Sequence, residues 1–171
     1  IYLVYQGGLI ILLIGSFALV SGYCYTAGPY PLGYNGFGDI FVFIFFGLIA
    51  VPGTYYLQSG NLFSKESILI GSAIGFIAVA ILCVNNIRDI ESDKKVGKKT
   101  LAVRFGKKPV IVLYDLMLLF PYLCISILFF SKNEMFFFDL SLCLILLSFP
   151  VAISLILDIH NKKNKELNII L

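Results

Sequence analysis

Residues 67–84 read SILIGSAIGFIAVAILCV without a single charge, and 85–106 continue as NNIRDIESDKKVGKKTLAVRFG, where charge is dense. The first stretch is long enough to cross a bilayer core as a helix, which takes about 20 apolar residues. Runs of the same kind lie at 2–23, 37–57, 110–130 and 136–157. None alternates strictly, and membrane barrel strands are only about ten residues long, so strands are a poor match. In hydrocarbon the backbone must satisfy its own hydrogen bonds, and a helix does so within each segment. The fold class expected is therefore all-α: a polytopic membrane helix bundle with five transmembrane helices in this chain.

Composition agrees. Of 171 residues, 59% are hydrophobic and 13% charged, with a mean hydropathy of +0.94. Soluble domains run at about 45–50% apolar and about 25% charged. This excludes a soluble globular domain, a disordered chain and a nucleic-acid module, and makes the lipid bilayer the chain's main partner. Cys24, Cys83, Cys124 and Cys143 form no CxxC pair and read as small buried hydrophobes. Ile1 already stands inside an apolar run, and residues 167–171 read as the start of another. The expectation is a piece of a longer protein, cut at both ends.

Charge placement gives orientation. Arg88, Lys94, Lys95, Lys98, Lys99, Arg104, Lys107 and Lys108 follow the third run, and Lys162, Lys163 and Lys165 follow the fifth. Two spans separate these segments, so they share a side, against Lys65 and Lys132 on the other. The positive-inside rule places the basic side in the cytoplasm. The 24–36 connection falls there too, so both long polar connections face one compartment. Charges that only set topology are the competing reading.

Asn85, Asp89 and Asp93 are spaced i, i+4, i+8, which lines one face of a helix. Glu91 points away from that face. Two carboxylates and an amide one turn apart offer hard oxygen ligands, and magnesium is commonly held by one or two carboxylates plus substrate phosphates. Arg88, Lys94, Lys95, Lys98, Lys99 and Arg104 are placed to pair with phosphate oxygens. A solvated juxtamembrane helix whose lysines meet anionic lipid is the alternative.

The string at 85–106 resembles the second aspartate-rich motif of the UbiA-type intramembrane prenyltransferases. The segment YTAGPYPLGYNGFGDIFVFIFFGLIAVPGTYYLQ, at 25–58, resembles the loop and helix of the branch acting on 1,4-dihydroxy-2-naphthoate. The resemblance implies a single prenyltransferase domain of nine membrane helices around a central cavity, of which residues 1–171 would supply helices four to eight. It implies an enzyme of menaquinone synthesis with Mg2+ as cofactor, in the plasma (inner) membrane, its catalytic loops cytoplasmic. Its substrates would be a polyprenyl diphosphate and an aromatic acceptor. Diphosphate and carbon dioxide would be lost, giving a demethylmenaquinone. By position, Asp89 and Asp93 match the metal carboxylates and Asn85 the polar residue one turn earlier. Lys98, Lys99 and Arg104 fall where basic residues meet the diphosphate. The first aspartate-rich motif would lie upstream of Ile1, so this stretch alone should be inactive.

The loop at 25–36 has no basic residue where many relatives carry one, which argues against a phosphate contact there. Its turns hold Tyr25, Tyr30 and Tyr34. Rings beside a cationic transition state suit cation–π attraction, and interfacial tyrosines that anchor helix ends are the other reading. Tyr25, Tyr34 and Asp39 are the candidates for the aromatic acceptor or the cavity. Asp39 also suits a helix N-terminus. Gln6 reads as cavity-facing or as a helix–helix hydrogen bonder. Asp115, Asp158 and His160 read as surface groups. Gly71 and Gly75 form a GxxxG pair suited to close helix packing, and Pro52, Pro121 and Pro150 lie inside runs. No GxxxxGK[ST], GxGxxG, HExxH or CxxCH string occurs, against nucleotide, zinc-protease and haem chemistry. Rival functions are prenyl transfer to 4-hydroxybenzoate, homogentisate or chlorophyllide, and a non-enzymatic transporter. Charges gathered at one surface rather than at mid-membrane depth disfavour the transporter.

Overall fold

A computed structural model describes residues 1–131, 144–161 and 167. Among these there is no strand, and five helices are long and apolar enough to cross a membrane. They are α1 (Tyr2–Thr26), α2 (Gly38–Ser59), α3 (Lys65–Arg88), α6 (Lys107–Ser131) and a final span over Leu144–Asn161 that contains α7 (Phe149–Asn161). Two short helices, α4 (Ile90–Lys95) and α5 (Leu101–Phe105), lie between α3 and α6. The expected all-α bundle is what the chain forms. Lys132, Cys143, Lys162, Lys163 and Lys165 lie outside the described residues, as does the start of the fifth run.

The core forms where α3 and α6 pack. Val79, Ala80, Cys83, Val84 and Ile87 from α3 meet Val110, Ile111, Tyr114 and Met117 from α6. Ser64 starts α3 by capping it: its Oγ accepts from the Ser67 N–H at 3.1 Å. Pro150 falls in the first turn of α7, where its missing N–H costs nothing. Pro121 is buried inside α6.

The GxxxG pair does bring helices together, and its partner is Gly47 on α2. A Cβ on Gly71 would stand 2.5 Å from the Gly47 carbonyl oxygen, and one on Gly47 would stand 2.8 Å from that of Gly71. Gly75 is closed off by Phe43, whose ring a Cβ would meet at 2.9 Å. Backbones so close make a large van der Waals contact, the main attraction between helices in lipid. Over Phe43–Ile49 α2 winds as a π-helix before returning to α geometry. The wider turns relieve Pro52, whose ring would crowd the Leu48 carbonyl in a regular ladder.

α1 is kinked at Gly8, and the Tyr56 hydroxyl of α2 donates to the Gly7 carbonyl at 3.3 Å. A neighbouring side chain thus satisfies a backbone group near the break. Most of α1 is exposed. Gln6 is exposed and donates to the Tyr2 hydroxyl, at 3.4 Å, within its own helix.

Candidate active site

The single helix expected through Asn85, Asp89 and Asp93 is bent. α3 ends at Arg88, Asp89 adopts φ −97° and ψ 10°, and α4 begins at Ile90. The i, i+4 hydrogen bonds nevertheless continue: Asp89 N–H donates to the Asn85 carbonyl at 3.0 Å and Asp93 N–H to the Asp89 carbonyl at 2.8 Å. The spacing read from the sequence therefore survives the bend. Glu91 is exposed and faces Lys94 at 3.9 Å.

Both carboxylates engage basic side chains. Arg88 Nε and a terminal guanidinium nitrogen each donate to Asp89, at 2.8 Å. This fork, with Lys98 assisting, holds the Asp89 carboxyl below the usual carboxylate range. Asp93 is buried, and Lys98 Nζ lies 2.8 Å from its Oδ1. The hydrogen bond to Asp93 raises Lys98 above the usual lysine value, and the charges of Asp93 and Asp89 add to it. Each carboxylate thus has its own basic partner.

Local sequence explains how Lys98 gets there. Gly97 has φ +76°, a left-handed conformation. Lys98 N–H reaches back to the Asp93 carbonyl at 2.9 Å and Gly97 N–H to the Lys94 carbonyl at 3.2 Å. This pair of bonds is a Schellman ending for α4, with glycine at the position that needs positive φ. It folds Lys98 over the residue whose side chain it pairs with.

The 25–37 loop is fastened to this turn. Lys99 N–H donates to the Tyr34 carbonyl at 2.6 Å, and an Arg104 guanidinium nitrogen to the Asn35 carbonyl at 2.7 Å. Gly36, at φ +85°, fits beneath them, since a Cβ there would stand 2.9 Å from the Lys99 carbonyl oxygen. Lys98 Nζ also lies 5.0 Å from the centre of the Tyr34 ring. Of the basic residues expected on diphosphate, Arg88, Lys98 and Arg104 are thus engaged within the chain, while Lys99 is exposed.

Tyr25 and Asp39 lie at the facing ends of α1 and α2 beside this clamp. Asp39 is buried in the first turn of α2, as expected for a helix N-terminus, and Cys83 Sγ lies 3.9 Å from its Oδ1. With Tyr25, Asn86 and Thr100 it lines a small polar cavity. Asn86 was not singled out from the sequence; its one signal was a paired Asn-Asn at the end of an apolar run. Next to this cavity Tyr25, Phe41, Phe45 and Phe17 follow one another in ring contact. Three of these rings, with Ser21, line an apolar crevice of about 350 Å3 between α1 and α2.

One surface reading is corrected. Asp115 Oδ1 is buried with no hydrogen-bond partner among the described residues, while Oδ2 pairs with His160 Nε2 at 2.9 Å. Asp115 therefore ties α6 to α7 and is not simply solvated. Among the described residues no three His, Cys, Asp or Glu side chains gather as a metal cluster.

A model of the UbiA prenyltransferase family matches residues 1–169. The chain belongs to this family. Among its UbiA relatives is 1,4-dihydroxy-2-naphthoate octaprenyltransferase of Haemophilus influenzae, 47% identical over 111 residues, 65% of this chain and 36% of that protein. The protein of the same name from Escherichia coli is 45% identical over 96 residues, 56% of this chain and 31% of its own length. UbiA prenyltransferase domain-containing protein 1 of Homo sapiens is 35% identical over 153 residues, 90% of this chain and 40% of its own. The chain thus spans roughly a third of the length of these bacterial UbiA proteins. No solved structure matches it.

Proposed function

We infer that this chain belongs to an enzyme that transfers a polyprenyl group from polyprenyl diphosphate to 1,4-dihydroxy-2-naphthoate. The observation that carries the reading is the pairing of Asp89 and Asp93 with basic side chains at the end of a membrane helix, in a UbiA-family chain 45–47% identical to two proteins named for that reaction. The positive-inside rule supports a cytoplasmic site, and the bacterial relatives support an inner-membrane setting.

The donor set fits a hard divalent cation. Asp89 and Asp93 each already hold a cationic group, Arg88 and Lys98 respectively, and carboxylate oxygens suit magnesium. These two, with Asn85, would hold it; when bound it supplies charge neutralisation for the diphosphate. Arg88, Lys98 and Lys99 are placed to take phosphate oxygens, stabilising charge as the allylic C–O bond breaks and its electron pair leaves with diphosphate. Arg104 serves by fastening the loop. The naphthoate ring carbon forms the new C–C bond, and the carboxylate there departs as carbon dioxide. The product is demethylmenaquinone at its hydroquinone level.

The apolar crevice along Phe41 and Phe45 suits an isoprenoid tail and keeps water from the cation. Asp39 and Tyr25 are placed to bind the hydroxyls of the acceptor.

In the full-length protein, Asp89→Asn should abolish nearly all cation-dependent transfer of labelled prenyl diphosphate to the naphthoate. Wild-type rates in that variant would refute the role. Membranes offered 4-hydroxybenzoate, homogentisate or chlorophyllide should give no product; turnover of one of these in place of the naphthoate would reassign the acceptor.

A further inference from the structure

The Lys98 ammonium meets two partners from a single position. One is the Asp93 carboxylate at 2.8 Å; the other is the face of Tyr34, whose ring centre is 5.0 Å away. Asp93 is buried, and unpaired buried charge is costly, so something cationic must accompany it. The Schellman turn fixes the backbone under Lys98, and the Lys99–Tyr34 hydrogen bond ties the Tyr34 backbone beside it. The ammonium therefore touches carboxylate and ring together, and losing the carboxylate would leave it on the ring without any backbone change.

We propose that Lys98 is a built-in placeholder cation for the Asp93 carboxylate, and that Tyr34 is the positioning residue that retains its ammonium when a divalent cation takes that carboxylate. The proposal rests on the reading of Asp89 and Asp93 as metal carboxylates. It assigns Tyr34 to the handling of Lys98 rather than to the aromatic acceptor. Held by the ring, the ammonium stays next to the carboxylate, where it is available to a phosphate oxygen. Without metal, Lys98 keeps the buried carboxylate neutralised. The cost is competition: each metal ion has to displace an ammonium held by a charge-assisted hydrogen bond.

The test is Mn2+ binding to the purified full-length protein without diphosphate, followed by electron paramagnetic resonance. Lys98→Met should bind Mn2+ about tenfold more tightly than wild type, a change of about 1.4 kcal/mol. Tyr34→Leu should bind several-fold more weakly, because the displaced ammonium has no ring to hold it. Tyr34→Phe, which keeps the ring, should restore the wild-type affinity. In the wild-type protein, saturating Mg2+ should raise the reactivity of the Lys98 amine toward an acylating reagent, read by mass spectrometry. This measurement needs no variant to fold. Unchanged or weaker binding in Lys98→Met, or labelling insensitive to Mg2+, overturns the placeholder. Undiminished Mn2+ binding in Asp89→Asn together with Asp93→Asn overturns the metal reading beneath it instead.

Discussion

Asp89 and Asp93 are both carboxylates one turn apart, yet their surroundings differ. Asp89 is gripped by its chain neighbour Arg88 and partly exposed, whereas Asp93 is buried and depends on Lys98. The spacing of these residues was legible in the sequence, and so was the turn at Gly97. That Asn86 lines the small polar cavity was not, because both asparagines sit on the same helix end and only packing decides which one faces it. The ion pairs give a pH prediction. Asp89 titrates below its ordinary value in the folded chain, so its contribution is complete above about pH 4 and fades as pH falls through the lower folded value. Lys98 titrates above its ordinary value, so its contribution is complete below about pH 10 and fades as pH rises through the higher folded value. Amide-exchange protection of residues 96–106, corrected for intrinsic rates, should therefore be flat across neutral pH and fall at both extremes. Loss of protection between about pH 6 and 8 would show that other groups govern the turn.

Among the elements, the crossing of α2 and α3 depends on three glycines. GxxxG was visible at Gly71 and Gly75; its partner Gly47 was not, since a lone glycine among phenylalanines carries no pairing signal. Gly71→Val should destabilise the protein by about 1–3 kcal/mol, outweighing any gain from removing helical glycine. The contact it strikes is the Gly47 backbone, which cannot rotate aside as a side chain does. A thermal unfolding midpoint in detergent equal to or above wild type would show that the helices do not meet there. The bend at Asp89 and the π-winding of α2 were likewise beyond a hydropathy pattern, because periodicity averages over the single residues at which a ladder changes pitch.

At the scale of the whole molecule, α3 and α6 hold the core while α1 presents most of its surface outward. Sidedness is the prediction that belongs here. With native cysteines replaced, Lys99→Cys should react with a membrane-impermeant maleimide only from the cytoplasmic side, and Asn61→Cys only from the opposite side. Labelling of both positions from one side would overturn the five-span arrangement. The sequence by itself determined the helical class, the number of spans and the aspartate spacing. Each follows from local quantities: apolar run length against bilayer thickness, and residue pitch along a helix. What only tertiary structure decided is the clamp between the loops, with Arg104 on Asn35 and Lys98 between Asp93 and Tyr34. Those partners are brought together by the packing of α2 against α3, and electrostatic pairing depends on distance in space, which residue number does not encode.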